Sequence, residues 1–162
     1  YLARMLHAGE DIKFIARRIM ICASEDVGTA DPMALCVATN AALAVERLGM
    51  PESRIILSEA AIYVACAPKS NASYMAVERA LEDVRNRKTP GVPNHLRDSH
   101  YKGAAKLGHG IGYQYAHDFP GHYVDQQYLP DELTGVRFYE PDGMGCEKDI
   151  IERLKKNKER NR

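Results

Sequence analysis

The chain has no tryptophan, only three phenylalanines and four cysteines, and no surplus of either charge: 22 basic side chains stand against 22 acidic ones in 162 residues. Zero net charge removes the uniformly basic footprint of a protein that holds nucleic acid by charge alone, so any such contact is local. Long apolar runs are missing too. The uncharged stretch 32–45 has 14 residues, short of the ~20 that a membrane-crossing helix requires. No basic segment followed by an apolar one opens the chain, so no secretion signal is read. A soluble, cytoplasmic protein with no membrane partner is expected. Cys22, Cys36, Cys66 and Cys146 form no CxxC pair, and the first three fall inside apolar helical patterns. That placement predicts reduced core residues rather than a disulfide framework.

Catalytic settings are equally scarce. A phosphate-cradling loop needs glycines ahead of Lys and Ser or Thr, and Lys69-Ser70 follows Ala67-Pro68 without them. The run Gly108-His109-Gly110-Ile111-Gly112 is not GxGxxG and follows no clear strand. No GxSxG nucleophile turn occurs, which argues against covalent catalysis. The acidic pair Asp131-Glu132 follows Leu129-Pro130, which breaks the apolar strand that a magnesium-binding pair would need.

What is present is helical periodicity. Ile12, Ile15, Ile19 and Cys22 fall on one stripe of a helix spanning 11–27, and Gly28 stops it. Asp31-Pro32 restarts a helix that runs to Gly49 and carries Ala34, Ala38, Ala41, Ala42 and Ala44, small residues that let neighbours come close. It is expected to be central. A third helix covers 51–67 and ends at Pro68; a fourth runs from Ser70 or Asn71 to about Arg87. On the fourth, Tyr74, Val77, Leu81 and Val84 share one face opposite Glu78, Arg79, Glu82 and Asp83. Residues 1–87 therefore predict an all-α bundle or array. Helix begins at Tyr1 itself, so the chain is expected to be a piece of something longer.

From Lys88 the texture changes. Pro90, Gly91, Pro93, Gly103, Gly108, Gly110, Gly112, Pro120, Gly121 and Pro130 interrupt every run through this segment, leaving room for a short helix only at 99–107. Tyr101, Tyr113, Tyr115, Phe119, Tyr123, Tyr128, Phe138 and Tyr139 lie in the same irregular arm, 88–146, and need a surface to bury against. A charged helix with a thin stripe of Ile150, Ile151 and Leu154 closes the chain over 147–160. The whole is expected to form a single domain.

Charge is segregated along the chain. Residues 1–84 carry net −3, 85–106 net +5, 107–147 net −6 and 148–162 net +4. The first basic block offers Arg85, Arg87, Lys88, Arg97, Lys102 and Lys106 beside His95, His100 and Tyr101, a mixture that suits single-stranded nucleic acid and equally an ion-pair partner for the acidic block. Five histidines, His95, His100, His109, His117 and His122, cluster here, and His117-Asp118, with further histidines upstream and an acid such as Asp125 or Asp131 downstream, would suit an HD-type metal phosphohydrolase. The surrounding Gly110, Gly112, Pro120 and Gly121 place that dipeptide in a loop, whereas such enzymes hold it on a helix. No metal or cofactor is therefore assigned to this chain.

Several strings together carry a resemblance: SEDVG at 24–28 with ADP at 30–32, APKSN at 67–71, PNHLRD at 93–98, LGHGIGYQYAHDFPGHYVDQQYLP at 107–130 and GVRFYEP at 135–141. They resemble the C-terminal region of the replication-associated recombination protein A family, AAA+ ATPases also called maintenance of genome stability protein A and related to the Werner helicase-interacting protein. The resemblance implies an all-helical domain that assembles clamp-loader-like ATPases into homotetramers at replication forks, in a bacterial, nucleoid-associated setting. It implies DNA, and possible single-stranded DNA-binding protein, as partners of the full-length protein, whose ATP and magnesium sites lie upstream of Tyr1. The chain alone is then no enzyme. Its candidate self-association surface is the aromatic arm, through Tyr113, Tyr115, His117, Phe119, Tyr123 and Tyr128, and its candidate DNA surface is the two basic blocks, 85–106 and 148–162.

Overall fold

A computed structural model describes residues 1–88 and 91–159, all-α and without a strand among them. Pro90 and residue 160, read above as parts of the arm and the last helix, lie outside the described residues, as do the basic Arg160 and Arg162. Among the described residues there are six α-helices: α1 (Leu2–His7), α2 (Ile12–Cys22), α3 (Met33–Leu48), α4 (Ser53–Cys66), α5 (Ala72–Asn86) and α6 (Glu147–Glu159). The chain divides into two compact units. One comprises Tyr1–Ala80 with Phe138–Glu152, the other Leu81–Arg137 with the described residues from Arg153 onward.

The first unit is built on α2, α3 and α4, which pack against one another. Asp11 opens α2 by accepting from the Lys13 backbone N–H at 3.0 Å. After Cys22 the helix widens into a π turn, Ala23–Val27, then a 3-10 turn, Gly28–Ala30. The helix expected over 11–27 thus changes its winding for its last five residues. Gly28 ends it at φ +52°, and a Cβ there would lie 2.8 Å from Ser73 Oγ and 2.9 Å from the Ser70 carbonyl. Only a hydrogen fits where α5 begins.

Asp31 serves two helices. Its carboxylate accepts from the Met33 N–H at 3.1 Å, starting α3, and from the Tyr63 hydroxyl of α4 at 3.0 Å. Along α3 the alanines do what their size predicts: Ala34, Ala38 and Ala41 are buried with Val45. One core cluster joins Ala34 and Ala38 to Ala23, Val27 and Val64; the other joins Val45 to Ile15, Ala16 and Leu57. Lys69 closes α4 by donating to the carbonyls of Val64, Ala65 and Ala67, which suits a cation at a helix C-terminus.

The cysteines correct one expectation. All four are reduced, but Cys36, Cys66 and Cys146 are exposed and Cys22 is half-buried. Positions 36 and 66 lie on the outward stripes of α3 and α4, because the buried stripe on each helix is narrower than its apolar pattern. Burial and a 3.0 Å hydrogen bond to the Asp26 carboxylate push the Cys22 thiol up to about 11.

The second unit is irregular. Short 3-10 turns at Asn94–Leu96, Ala104–Leu107, Ala116–Asp118, Pro120–His122 and Asp131–Leu133 punctuate it, so the short helix expected over 99–107 shrinks to the turn at its end. Its buried apolar residues are few: Ala104, Val124 and Leu133.

Candidate functional site

Glu147, the first residue of α6, is fully buried. Its Oε1 accepts from Thr29 Oγ1 at 2.7 Å, Ser70 Oγ at 2.9 Å and the Tyr139 hydroxyl at 3.2 Å. Its Oε2 accepts from the backbone N–H groups of Asp142 at 2.8 Å and Gly143 at 3.1 Å. Five donors saturate the roughly four lone-pair sites of a carboxylate. Burial by itself would raise the Glu147 pKa; the hydrogen bonds from Thr29, Ser70, Asp142 and Tyr139 outweigh it and hold the carboxyl below its usual range.

Two of the donors, Thr29 and Ser70, come from distant parts of the chain, while Tyr139, Asp142 and Gly143 lie within eight residues of Glu147. Thr29 sits in the 3-10 turn after Gly28. Ser70 is buried, accepts from the Ala72 N–H at 3.2 Å, and its single hydroxyl proton lies between Glu147 and Asp142 Oδ2, the latter 3.0 Å away. The Cys146 N–H reaches the Ala30 carbonyl at 2.8 Å. At neighbouring Gly145, with φ +50°, a Cβ would strike that same carbonyl oxygen. This clasp ties the returning segment from Phe138 to α6 onto the helices of the first unit. With both carboxylate oxygens engaged by the chain's own donors, its chemistry is to hold.

The aromatic candidates lie in the second unit. Tyr113, Tyr115 and Tyr128 are 51%, 54% and 54% exposed. Phe119 and Tyr123 are half-buried, and His117 is exposed. His117 stacks in tilted fashion between Tyr115, 5.0 Å away, and His122, 4.8 Å away. The backbone of this segment is pinned from inside: the Gln114 N–H donates to Gln126 Oε1 at 2.8 Å, and His95 Nε2 meets the Gln127 carbonyl at 2.7 Å. The His117-Asp118 dipeptide lies on a single 3-10 turn, Ala116–Asp118. Among the described residues no group of three or more His, Cys, Asp or Glu side chains is placed to hold a metal ion.

The cationic candidates Arg85, Arg87, Lys88, Arg97, Lys102 and Lys106 are all exposed. Two of them are engaged. Arg87 pairs with Asp83 at 2.9 Å, and Arg97 donates through Nε to the Val92 carbonyl at 2.8 Å. The Arg97 guanidinium also comes within 3.4 Å of His109 Nε2, while the Tyr101 hydroxyl lies 2.6 Å from His109 Nδ1. Arg97, Tyr101 and His109 thereby form one cluster that combines a cation with flat rings.

Sequence reading missed the clasp. Glu147 reads as the first charge of a solvated helix, and the partners that carry it into the first unit, Ser70 and Thr29, stand 77 and 118 residues away, so local pattern does not signal the burial. The only hint is that Ser70 and Tyr139 fall within the distinctive strings at 67–71 and 135–141.

Residues 1–158 match the family model described as MgsA AAA+ ATPase C terminal, and the chain belongs to that family. It is 55% identical over 154 residues to an uncharacterized AAA domain-containing protein of Mycobacterium tuberculosis, a match covering 95% of this chain and 34% of that protein. It is 44% identical to replication-associated recombination protein A of Bacillus subtilis, over 98% of this chain and 38% of the relative. The Escherichia coli protein of the same name is 43% identical over 95% of this chain and 35% of its own length. The chain thus spans about a third of each of these relatives.

Proposed function

We propose that this chain is the self-association domain of a clamp-loader-like AAA+ ATPase, holding four copies together while the ATPase portion of the protein consumes nucleotide. The observation that supports it most directly is the display of Tyr113, Tyr115 and Tyr128, each more than half exposed, on a backbone pinned by internal hydrogen bonds. Large rings held out on an ordered surface mark a place where another protein surface lands. The relatives called replication-associated recombination protein A extend the proposal to work at replication forks in recombination and repair, in the cytoplasm with the nucleoid. DNA, and single-stranded DNA-binding protein, are then partners of the full-length protein, and ATP with magnesium belongs to its ATPase portion.

Sedimentation velocity at micromolar concentration tests this. The expected species has four times the 18.1 kDa chain mass; an 18.1 kDa species overturns the proposal.

A second reading is favoured by the Arg97, Tyr101 and His109 cluster: a surface that takes single-stranded DNA on Arg97, Lys102 and Lys106, with Tyr101 as a stacking ring. It predicts binding to a fluorescent oligonucleotide that weakens steeply with salt and is lost when the three cations are neutralised. Salt-insensitive binding counts against it.

A further inference from the structure

Helix α5 is mounted inside out. Tyr74, Val77, Leu81 and Val84 follow the 3-4-3 spacing of a coiled-coil seam, which ordinarily faces a neighbour. Here they are 40%, 51%, 39% and 56% exposed. On the opposite side Ala72 is buried and Ala76, Arg79, Ala80 and Asp83 are half-buried. That inner side is fixed by polar contacts: Arg79 donates to the Phe138 carbonyl at 3.3 Å and to Glu140 at 2.8 Å. All four seam residues belong to one unbroken helix of 15 residues, a length at which propensity alone is marginal in water. At its N-terminal end Tyr74 also lines an open groove of about 550 Å³ with Met20, Ile21 and Leu35. The seam therefore runs into an apolar hollow.

The seam is complementary to itself. Laid antiparallel on a second α5, Tyr74 meets Val84 of the partner subunit and Val77 meets Leu81 of the partner subunit. Every layer then joins a bulky side chain to a β-branched one, the alternation that fills a core without voids. A parallel pair would set tyrosine on tyrosine and valine on valine. Building on the self-association proposed above, we infer that α5 is a two-fold contact, in which the α5 helices of two copies of this chain pair antiparallel along Tyr74, Val77, Leu81 and Val84. A tetramer of dihedral symmetry needs two different two-fold contacts; α5 supplies one and the exposed tyrosines of the second unit the other. The register carries one cost: Glu78, beside Val77, falls near the two-fold axis and faces its own copy.

The test is sedimentation of the chain and two variants. The double variant Val77→Glu, Leu81→Glu puts two charges into the seam; the assembled species is expected to fall to half its size, with helix content by circular dichroism unchanged. An oligomer indifferent to that change overturns the role of α5 while leaving self-association standing. A wild-type chain that stays monomeric overturns both. Glu78→Gln relieves the like-charge contact, and half-assembly is expected at about two-fold lower concentration. A midpoint unchanged or raised in that variant overturns the antiparallel pairing.

Discussion

At the residue scale the most constrained atom group is the Glu147 carboxylate. An amide in its place turns two acceptors into one acceptor and one donor among five donors, so Glu147→Gln is expected to cost about 3–5 kcal/mol, as breaking a buried charged network does. Urea unfolding followed by circular dichroism measures it. The pH dependence follows from the depressed pKa. Ionised Glu147 stabilises the fold at neutral pH, and because its folded pKa lies below the unfolded value of about 4.3, that contribution is lost as pH falls from about 4.3 through the folded value. The gap in urea midpoint between wild type and Glu147→Gln is therefore expected to be full at pH 7 and to shrink below pH 4. A gap constant across that range would show that the carboxylate charge is not what the clasp uses.

At the scale of elements, the same helix type serves two environments, and substitutions separate them. On α4, Leu57 is fully buried whereas Ile62 is 61% exposed. Leu57→Ala is expected to cost about 2–5 kcal/mol, and Ile62→Ala in the dissociated chain less than about 0.5 kcal/mol. Denaturant midpoints of the two variants check the contrast. The turns are as exacting as the core. Gly145→Ala combines a left-handed backbone with a collision on the Ala30 carbonyl, so a loss of order 1–3 kcal/mol or more is expected, read as a lowered melting temperature. Most of this architecture is legible from periodicity and punctuation. The stop at Gly28, the restart at Asp31-Pro32 and the alanine face of α3 follow from properties of single residues and their neighbours. The π turn at Ala23–Val27 does not: its Asp26 carbonyl accepts from the Ser70 N–H at 2.9 Å, a contact with a distant part of the chain. Nor does the outward seam of α5: the sequence shows an apolar stripe, and only the contacts of Arg79 with Phe138 and Glu140 decide which way it points.

For the whole molecule, the two units divide the work. The first is held by alanine-rich helix packing and the Glu147 clasp; the second has a thin core and displays its rings and cations. No helix among the described residues is long and apolar enough to cross a membrane. If the tyrosines of the second unit are an assembly surface, Tyr113→Ser, Tyr115→Ser and Tyr128→Ser together are expected to halve the sedimenting mass while leaving the urea midpoint of the dissociated chain within about 0.5 kcal/mol, because exposed side chains contribute little to a single fold. A large fall in stability with unchanged mass would assign those rings to the fold instead.

The order of residues by itself determined where the main helices lie, the irregular aromatic segment and the segregation of charge, since each depends on interactions within a few positions. The family was legible for a related reason: its distinctive strings are short and contiguous. Tertiary structure alone decided that Glu147 is buried, that Cys36 and Cys66 face outward and that α5 turns its apolar seam away from its own chain. Burial is a property of what packs on a residue from far along the chain, and local pattern carries no record of that.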